Sequence, residues 1–181
     1  SNETVKELSQ LEFLVVQDIF YTETARLADV VLPAASFAEK DGTFSNTERR
    51  VARVRKAIEP LSGTRPDWQI LCEVAQRMGY PMEYSSPEEI FEEIRKVTPS
   101  YAGLTYARLE AGGIQWPCPN EEHPGTMFLH KDRFGKGKGT MFAIDHKEPA
   151  EPIDAEYPLE LITGRLLYQY HTGTMSRRAP G

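Results

Sequence analysis

Cysteine is almost absent from this chain. Its 181 residues include only Cys72 and Cys118, and neither has a second cysteine within a few positions. A closed zinc or iron–sulfur site needs about four ligands, so cysteine cannot build one here. Cys72 reads instead as a small packed hydrophobe. Histidine is scarce too: His123, His130, His146 and His171 are scattered, with no metal-ligand spacing. Long apolar runs are missing, which leaves nothing to span a membrane. The N-terminal residues lack the charged-then-apolar pattern of a secretory signal, and a cytoplasmic location is expected. Positive charge is not in excess either. With 21 Lys and Arg against 27 Asp and Glu the net charge is −6, which argues against a nucleic-acid-binding protein.

What remains is an ordinary globular composition. Hydrophobic residues make up 40% of the chain and charged residues 27%, which excludes a disordered chain. The length suits one domain, or one domain and the start of another. Residues 11–18, Leu-Glu-Phe-Leu-Val-Val-Gln-Asp, have the near-continuous apolar character of a buried parallel strand. Thr22 can cap a short helix through Ala25, Arg26 and Leu27. Asp29 to Leu32 then reads as a second strand, ended by Pro33. Strand, short helix and strand point to an α/β sheet.

Further along, Asp41-Gly42 is a turn signal before a short extended piece, Thr43-Phe44-Ser45. The segment from Arg49 to Ile58 reads as a strand from its valines, although Val51, Val54 and Ile58 also fit helical spacing. Pro66-Asp67 opens a helix with Trp68, Leu71, Cys72, Val74, Ala75 and Met78 on its inner face, and Gly79 stops it. Ser86 caps a second helix, with Pro87 in its first turn and Ile90, Phe91, Ile94 and Val97 inward. Met127–Leu129 and Thr140–Ile144 are expected to pair as a hairpin across the Gly135–Gly139 loop. The stretch Glu148-Pro149-Ala150-Glu151-Pro152 reads as a linker. Leu159 to Thr163 begins a new strand. Residues 1–150 are therefore expected to form one domain and residues 151–181 to start another.

Three segments invite a chemical reading. The loop Gly135-Lys136-Gly137-Lys138-Gly139-Thr140 lacks the four-residue spacer of a phosphate-binding loop and is a hairpin tip. The basic run Arg49 to Lys56 has no interleaved aromatics for stacking on bases, and is either a solvated strand face or a surface toward a phosphate. Gln17-Asp18 is more pointed, because ligands of open α/β sheets bind beyond the carboxyl ends of the strands. A carboxylate at that place can accept both donors of a guanine edge, and Thr22 lies one short loop further on. The alternative is a plain turn aspartate. Finally, the tail from Thr163 to Gly181 alternates glycines with small hydroxyl residues, flanked by Arg165 and Arg177-Arg178. Glycine lets backbone approach a ligand, threonine adds short donors, and arginine matches phosphate. Such a tail suits a large anionic cofactor.

These same residues carry a resemblance. Val15-Val16-Gln17-Asp18-Ile19-Phe20-Tyr21-Thr22-Glu23-Thr24-Ala25, Ala28-Asp29-Val30-Val31-Leu32-Pro33, Glu39 and the stretch Gly42 to Arg50 resemble the molybdopterin oxidoreductase family. The tail His171-Thr172-Gly173-Thr174-Met175-Ser176-Arg177-Arg178 is similar to the start of that family's pterin-binding C-terminal domain. Gly113-Ile114-Gln115-Trp116-Pro117-Cys118-Pro119 and His123-Pro124-Gly125-Thr126 resemble the formate dehydrogenase catalytic subunits within it.

The resemblance implies a C-terminal piece of an enzyme that oxidises formate to carbon dioxide. Its fold would be α/β: part of a doubly wound, Rossmann-like domain, followed by the first strand of a β-barrel pterin-binding domain. The cofactor would be bis-molybdopterin guanine dinucleotide carrying molybdenum or tungsten, with iron–sulfur clusters elsewhere in the enzyme. By motif position Asp18 and Thr22 would hold a guanine, and Arg165, Leu166, His171, Thr172 and Thr174 would contact pterin and phosphates. Family members place a histidine after a cysteine or selenocysteine metal ligand. No such pair occurs here, so His171 is not that histidine, no catalytic residue or metal ligand is expected, and the isolated chain is expected to be inactive. Partners would be the rest of the catalytic subunit, electron-transfer subunits and formate. The alternatives are another family member such as a nitrate reductase, or a non-catalytic nucleotide-binding or structural module. Trp116-Pro117-Cys118-Pro119 favours the formate branch.

Overall fold

A computed structural model of the chain describes residues 2–169, 171, 173 and 175–178. The chain divides into two units, one running to Asp132 and the other starting at Arg133. The first unit opens with helix α1 (Asn2–Leu8), which buries none of its residues. Strands β1 (Val15–Asp18) and β2 (Val30–Pro33) pair in parallel, Val15 opposite Val30 and Asp18 opposite Pro33. Their connection is as short as the sequence suggests. It consists of a loop and a single 3-10 turn at Ala25–Leu27. Asp29 locks its return: Leu14 N–H donates to Asp29 Oδ2 at 2.8 Å, while Asp29 N–H donates back to the Leu14 carbonyl at 2.9 Å.

A 3-10 turn at Phe37–Glu39 leads into β3 (Gly42–Ser45), which pairs antiparallel with β4 (Arg50–Val54). The expected strand in the valine-rich basic segment is therefore present. Arg49, at the turn, has a positive φ of 67°, which costs a bulky side chain about 1–2 kcal/mol. Tertiary bonds hold it there, since its guanidinium donates to the carbonyls of Trp116 and, at 3.0 Å, Met127. A two-residue strand, β5 (Ile114–Gln115), completes the sheet on the other side of β4.

Helix α2 (Asp67–Arg77) starts after Pro66, and Gly79 follows it at φ +85°, the left-handed conformation that ends helices at glycine. Helix α3 (Pro87–Val97) is capped by Ser86, whose hydroxyl accepts the Glu89 N–H at 3.3 Å. A short helix, α4 (Tyr106–Leu109), is capped likewise by Thr105. The core forms where these meet β4: Val51, Phe91, Leu104, Tyr106, Leu109 and Cys118 are buried together, with Tyr101, Ile114 and Trp116 packed around them.

Three expectations are corrected. The inner face assigned to α2 is largely uncovered: Ile70 and Cys72 are buried, but Leu71 is 57% and Met78 82% exposed. Helical spacing identifies an apolar stripe, and only a neighbour can bury it. The hairpin of 127–129 with 140–144 is absent; only an isolated bridge joins Phe134 and Gly137. The strand at 159–163 is absent too, with Leu159, Leu161 and Ile162 all more than 80% exposed. A single strand without a hydrogen-bonding neighbour has no means of satisfying its backbone. The described residues thus hold a mixed arrangement of helices with one two-stranded and one three-stranded sheet.

Candidate functional site

Asp18 ends β1, where a crevice beyond the strand ends is expected. Its Oδ1 accepts the Phe20 N–H at 3.0 Å, the local bond of an aspartate-initiated turn. The turn reading of this residue is therefore correct at one oxygen, and an ionised carboxylate keeps further acceptor capacity at both. Thr22 acts in the same loop. Its hydroxyl accepts the Ala25 N–H at 3.2 Å and so holds the start of the 3-10 turn. Both side chains are half-buried.

A second network is one that the sequence pattern does not reveal. Gln17, one position before Asp18, donates from Nε2 to Asp67 Oδ1 at 2.7 Å. The other oxygen of Asp67 receives the ammonium of Lys40. Residues from the end of β1, the end of a 3-10 turn and the first turn of α2 thus converge. Burial alone would push the Asp67 carboxyl up, but the hydrogen bonds from Lys40 and Gln17 and the charge of Lys40 outweigh it and hold the carboxyl below its ordinary value of 3.8. The cluster combines a carboxylate, an ammonium and an amide, which offers acceptors and donors to one polar ligand. Next to it, an apolar hollow of about 230 Å³ runs between Phe37, Phe44, Trp68 and Ile90, with Lys40 and Asp67 in its wall.

The basic run is drawn partly into the fold, and only its end at Arg55 and Lys56 is exposed. Arg50 donates to the Gly113 carbonyl at 2.8 Å. Arg53 reaches Glu110 at 2.6 Å and lies 3.8 Å from the Tyr106 ring centre. Arg55 pairs with the same glutamate. These contacts fasten β4 to α4 and β5, with Arg53 and Arg55 sharing the one carboxylate of Glu110. Cys118 is fully buried, with Arg108 Nη1 3.3 Å from its sulfur. Arg108 also donates to the carbonyls of Gly103 and His123, tying together the loop around the thiol.

In the second unit, Arg165, Leu166 and His171 line one hollow of about 630 Å³, together with Gln169, Gly173 and Arg177. Three of the expected tail contacts are therefore brought together. Thr172 and Thr174 lie outside the described residues. His171 and Gly173 both have positive φ, 53° and 71°, and the Arg177 N–H donates to the Gly173 carbonyl at 3.0 Å. Gln169 is a lining residue without a motif signal; its Oε1 accepts the Ser176 hydroxyl at 2.8 Å. Among the described residues, no group of three or more His, Cys, Asp or Glu is placed to hold a metal, and no helix is long and apolar enough to cross a membrane.

Residues 1–77 match the family model described as molybdopterin oxidoreductase. The chain is 56% identical over 177 residues to the F420-dependent formate dehydrogenase subunit alpha of Methanocaldococcus jannaschii, covering 96% of this chain and 26% of that protein. It is 52% identical over 181 residues to the subunit alpha of formate dehydrogenase 2 of Methanococcus maripaludis, covering 98% of this chain and 27% of that protein. The chain thus spans about a quarter of the length of these relatives. Among solved structures, acetylene hydratase from Pelobacter acetylenicus aligns with 62% of this chain and 15% of its own, at 23% identity and a TM-score of 0.49.

Proposed function

Since the chain belongs to the molybdopterin oxidoreductase family, we propose that it is the cofactor-holding part of a formate dehydrogenase alpha subunit. The observation that carries this reading is the convergence of Gln17, Lys40 and Asp67 at the carboxyl end of β1, the strand that Asp18 closes. The donor set fits a guanine dinucleotide. Carboxylates at Asp18 and Asp67 accept from the donor edge of guanine. Lys40 and Gln17 donate to carbonyl, ring nitrogen or phosphate oxygen. Thr22 shapes the intervening loop. Arg165 and Arg177 of the tail hollow supply planar cationic donors for phosphate, while Leu166, His171, Thr172 and Thr174 contact the pterin.

The pterin-bound molybdenum or tungsten would supply the two-electron redox chemistry that converts formate to carbon dioxide. This chain's residues bind and orient; none of them moves substrate electrons. The rest of the catalytic subunit, with its iron–sulfur clusters, and electron-transfer subunits would complete the enzyme, with formate as substrate and a cytoplasmic setting. In that enzyme β1 and β2 would belong to a doubly wound, Rossmann-like sheet, and residues 151–181 would begin the pterin-binding β-barrel. The unpaired apolar segment around Leu161 supports this second point, because a strand of that composition needs partners.

The test is the full-length protein carrying Asp18→Asn or Asp67→Asn. Each change turns an acceptor oxygen into an amide donor facing a donor edge. Loss of such a charge-assisted bond should weaken cofactor binding by about 1.5–3 kcal/mol, read as reduced pterin and metal per subunit. Full occupancy in both variants, with unaltered formate turnover, would remove the guanine assignment.

A further inference from the structure

Glu39 is the one buried acid among the described residues, only 6% exposed. Its carboxylate makes two backbone contacts of different kinds. Oε2 accepts the Ser36 N–H at 2.7 Å, closing a capping box on the 3-10 turn in which the Ser36 side chain answers the Glu39 backbone. Oε1 accepts the Leu61 N–H at 3.1 Å, from a residue far along the chain. The first bond serves the turn. The second does nothing for it, since a capping box needs only one oxygen of its glutamate.

The second bond belongs to a clamp. Ala57 and Ile58 N–H groups both donate to the Ala38 carbonyl, at 2.8 and 3.1 Å, and Ala35 N–H donates to the Arg65 carbonyl at 2.8 Å. Residues 35–39 are thereby laced to residues 57–65. Lys40 follows directly on the first segment and Asp67 follows closely on the second. The spacing of the Lys40–Asp67 pair is thus governed by how these two backbones are held. The Ser36 and Leu61 bonds also keep the Glu39 carboxyl ionised, below its ordinary value.

We infer that Glu39 is a positioning residue: its carboxylate straps the 36–39 turn to the segment entering α2 and thereby sets the Lys40–Asp67 pair in place for a ligand. That the pair serves a ligand rests on the reading proposed above. The strap itself can be judged independently of it. Glu39→Gln separates the two contacts, because glutamine supports a capping box as glutamate does but turns an NH2 toward the Leu61 N–H. A purely local capping role therefore predicts no consequence at Lys40.

The experiment is site-resolved acylation of lysines in the full-length, cofactor-free protein, read by mass spectrometry for Lys40 against Lys56 and Lys96 in the same molecule. Glu39→Gln should raise the Lys40 rate about threefold, the factor expected when a half-exposed ion pair is released, with Lys56 and Lys96 unchanged. Asp67→Asn should raise it equally. An unchanged Lys40 rate in Glu39→Gln, with the helical signal intact, overturns the inference, as does an equal rise at all three lysines. Pterin content of Asp67→Asn addresses the other reading: retained pterin alongside a raised Lys40 rate would sink the ligand assignment and leave the strap standing.

Discussion

Two regions of the first unit are built from similar residues and reach opposite states. Around Leu104 and Cys118, side chains from β4, α3, α4 and the loop after β5 close on one another until Leu104 and Cys118 are fully buried. Around β1 and β2, Val15 is 46% and Val30 39% exposed, and Leu71 and Met78 on α2 stand open. A parallel pair this apolar is the pattern of a sheet covered on both faces, and only part of that cover is supplied within the described residues. The first region finishes its own core. The second presents polar groups at its strand ends and apolar surface along its flanks, as an element does when its role is to meet something else.

The sharpest way to break this contrast is truncation of one leucine in each region. Leu104 is fully buried, so Leu104→Ala should destabilise the protein by about 2–5 kcal/mol through lost transfer energy and a cavity. Leu71→Ala removes a side chain that is 57% exposed and should change stability by about 0.5 kcal/mol or less. Urea unfolding of the two variants measures both. Equal losses would mean that α2 is buried against a neighbour in solution and that the contrast is false.

A second comparison sets arginine against arginine. Arg108 serves the carbonyls of Gly103 and His123 and touches the buried sulfur of Cys118. Arg108→Leu leaves those acceptors without that donor and should cost about 2 kcal/mol, since a carbonyl stranded away from water bears its desolvation penalty uncompensated. Arg55 is half-exposed and makes one ion pair, so Arg55→Leu should cost about 1 kcal/mol at most. If the two variants melt together, the Cys118 loop is held by packing and not by the guanidinium.

Why each region could be read in advance differs in physical terms. Ser86-Pro87, Gly79 and Asp41-Gly42 act over three or four residues, so their effects follow from neighbours in sequence. Strands β1 and β2 were legible for the same reason, being short apolar runs bounded by turn residues. The face of α2 was not, because periodicity at Leu71, Val74 and Met78 tells which residues align and not whether anything covers them. Pairing at 127–144 and at 159–163 depends on partners that local pattern does not specify. At the site, Gln17, Asp18 and Thr22 lie within six positions and are singled out together from the sequence; Lys40 and Asp67 come from two other segments, and no spacing rule unites them with Gln17.

Acid should separate the regions again. Glu39 and Asp67 both have carboxyls held below their ordinary values of 4.5 and 3.8, Glu39 first by the Ser36 N–H and Asp67 by its bonds to Lys40 and Gln17 against the effect of burial. A group depressed in the folded state contributes stability that is complete above the unfolded value and is lost as pH falls through the folded one. The clamp joining the 36–39 turn to α2 should therefore loosen below those ordinary values, while the cluster around Leu104 is apolar and meets such a dependence only through Glu89 at the start of α3, whose carboxyl Ser85 holds low. Trp68 lies beside Asp67 in α2 and Trp116 packs on the cluster. With Trp116→Phe, the remaining emission of Trp68 should shift on acidification at a higher pH than that of Trp116 in a Trp68→Phe protein. Coincident transitions would show that the regions unfold as one.

The smallest expected effect compares two helix starts. Ser86 caps α3 with its hydroxyl on the Glu89 N–H, at the entrance to the packed region. Thr24 precedes the 3-10 turn of the β1–β2 connection and makes no side-chain cap bond. Ser86→Ala should cost about 1 kcal/mol, the usual value of a lost N-cap. Thr24→Ala should leave stability within about 0.5 kcal/mol, because Thr22 already accepts the Ala25 N–H in that turn. Thermal melts of the two single variants and of Thr22→Ala provide the check. A loss in Thr24→Ala as large as that in Ser86→Ala would show that Thr24 contributes where no capping bond is seen. Neutral results in both Thr22→Ala and Thr24→Ala would show the connection to be held by its own backbone bonds and by the bonds between Asp29 and Leu14, a looser attachment than the capped helix and one that leaves the Thr22 hydroxyl available to a ligand.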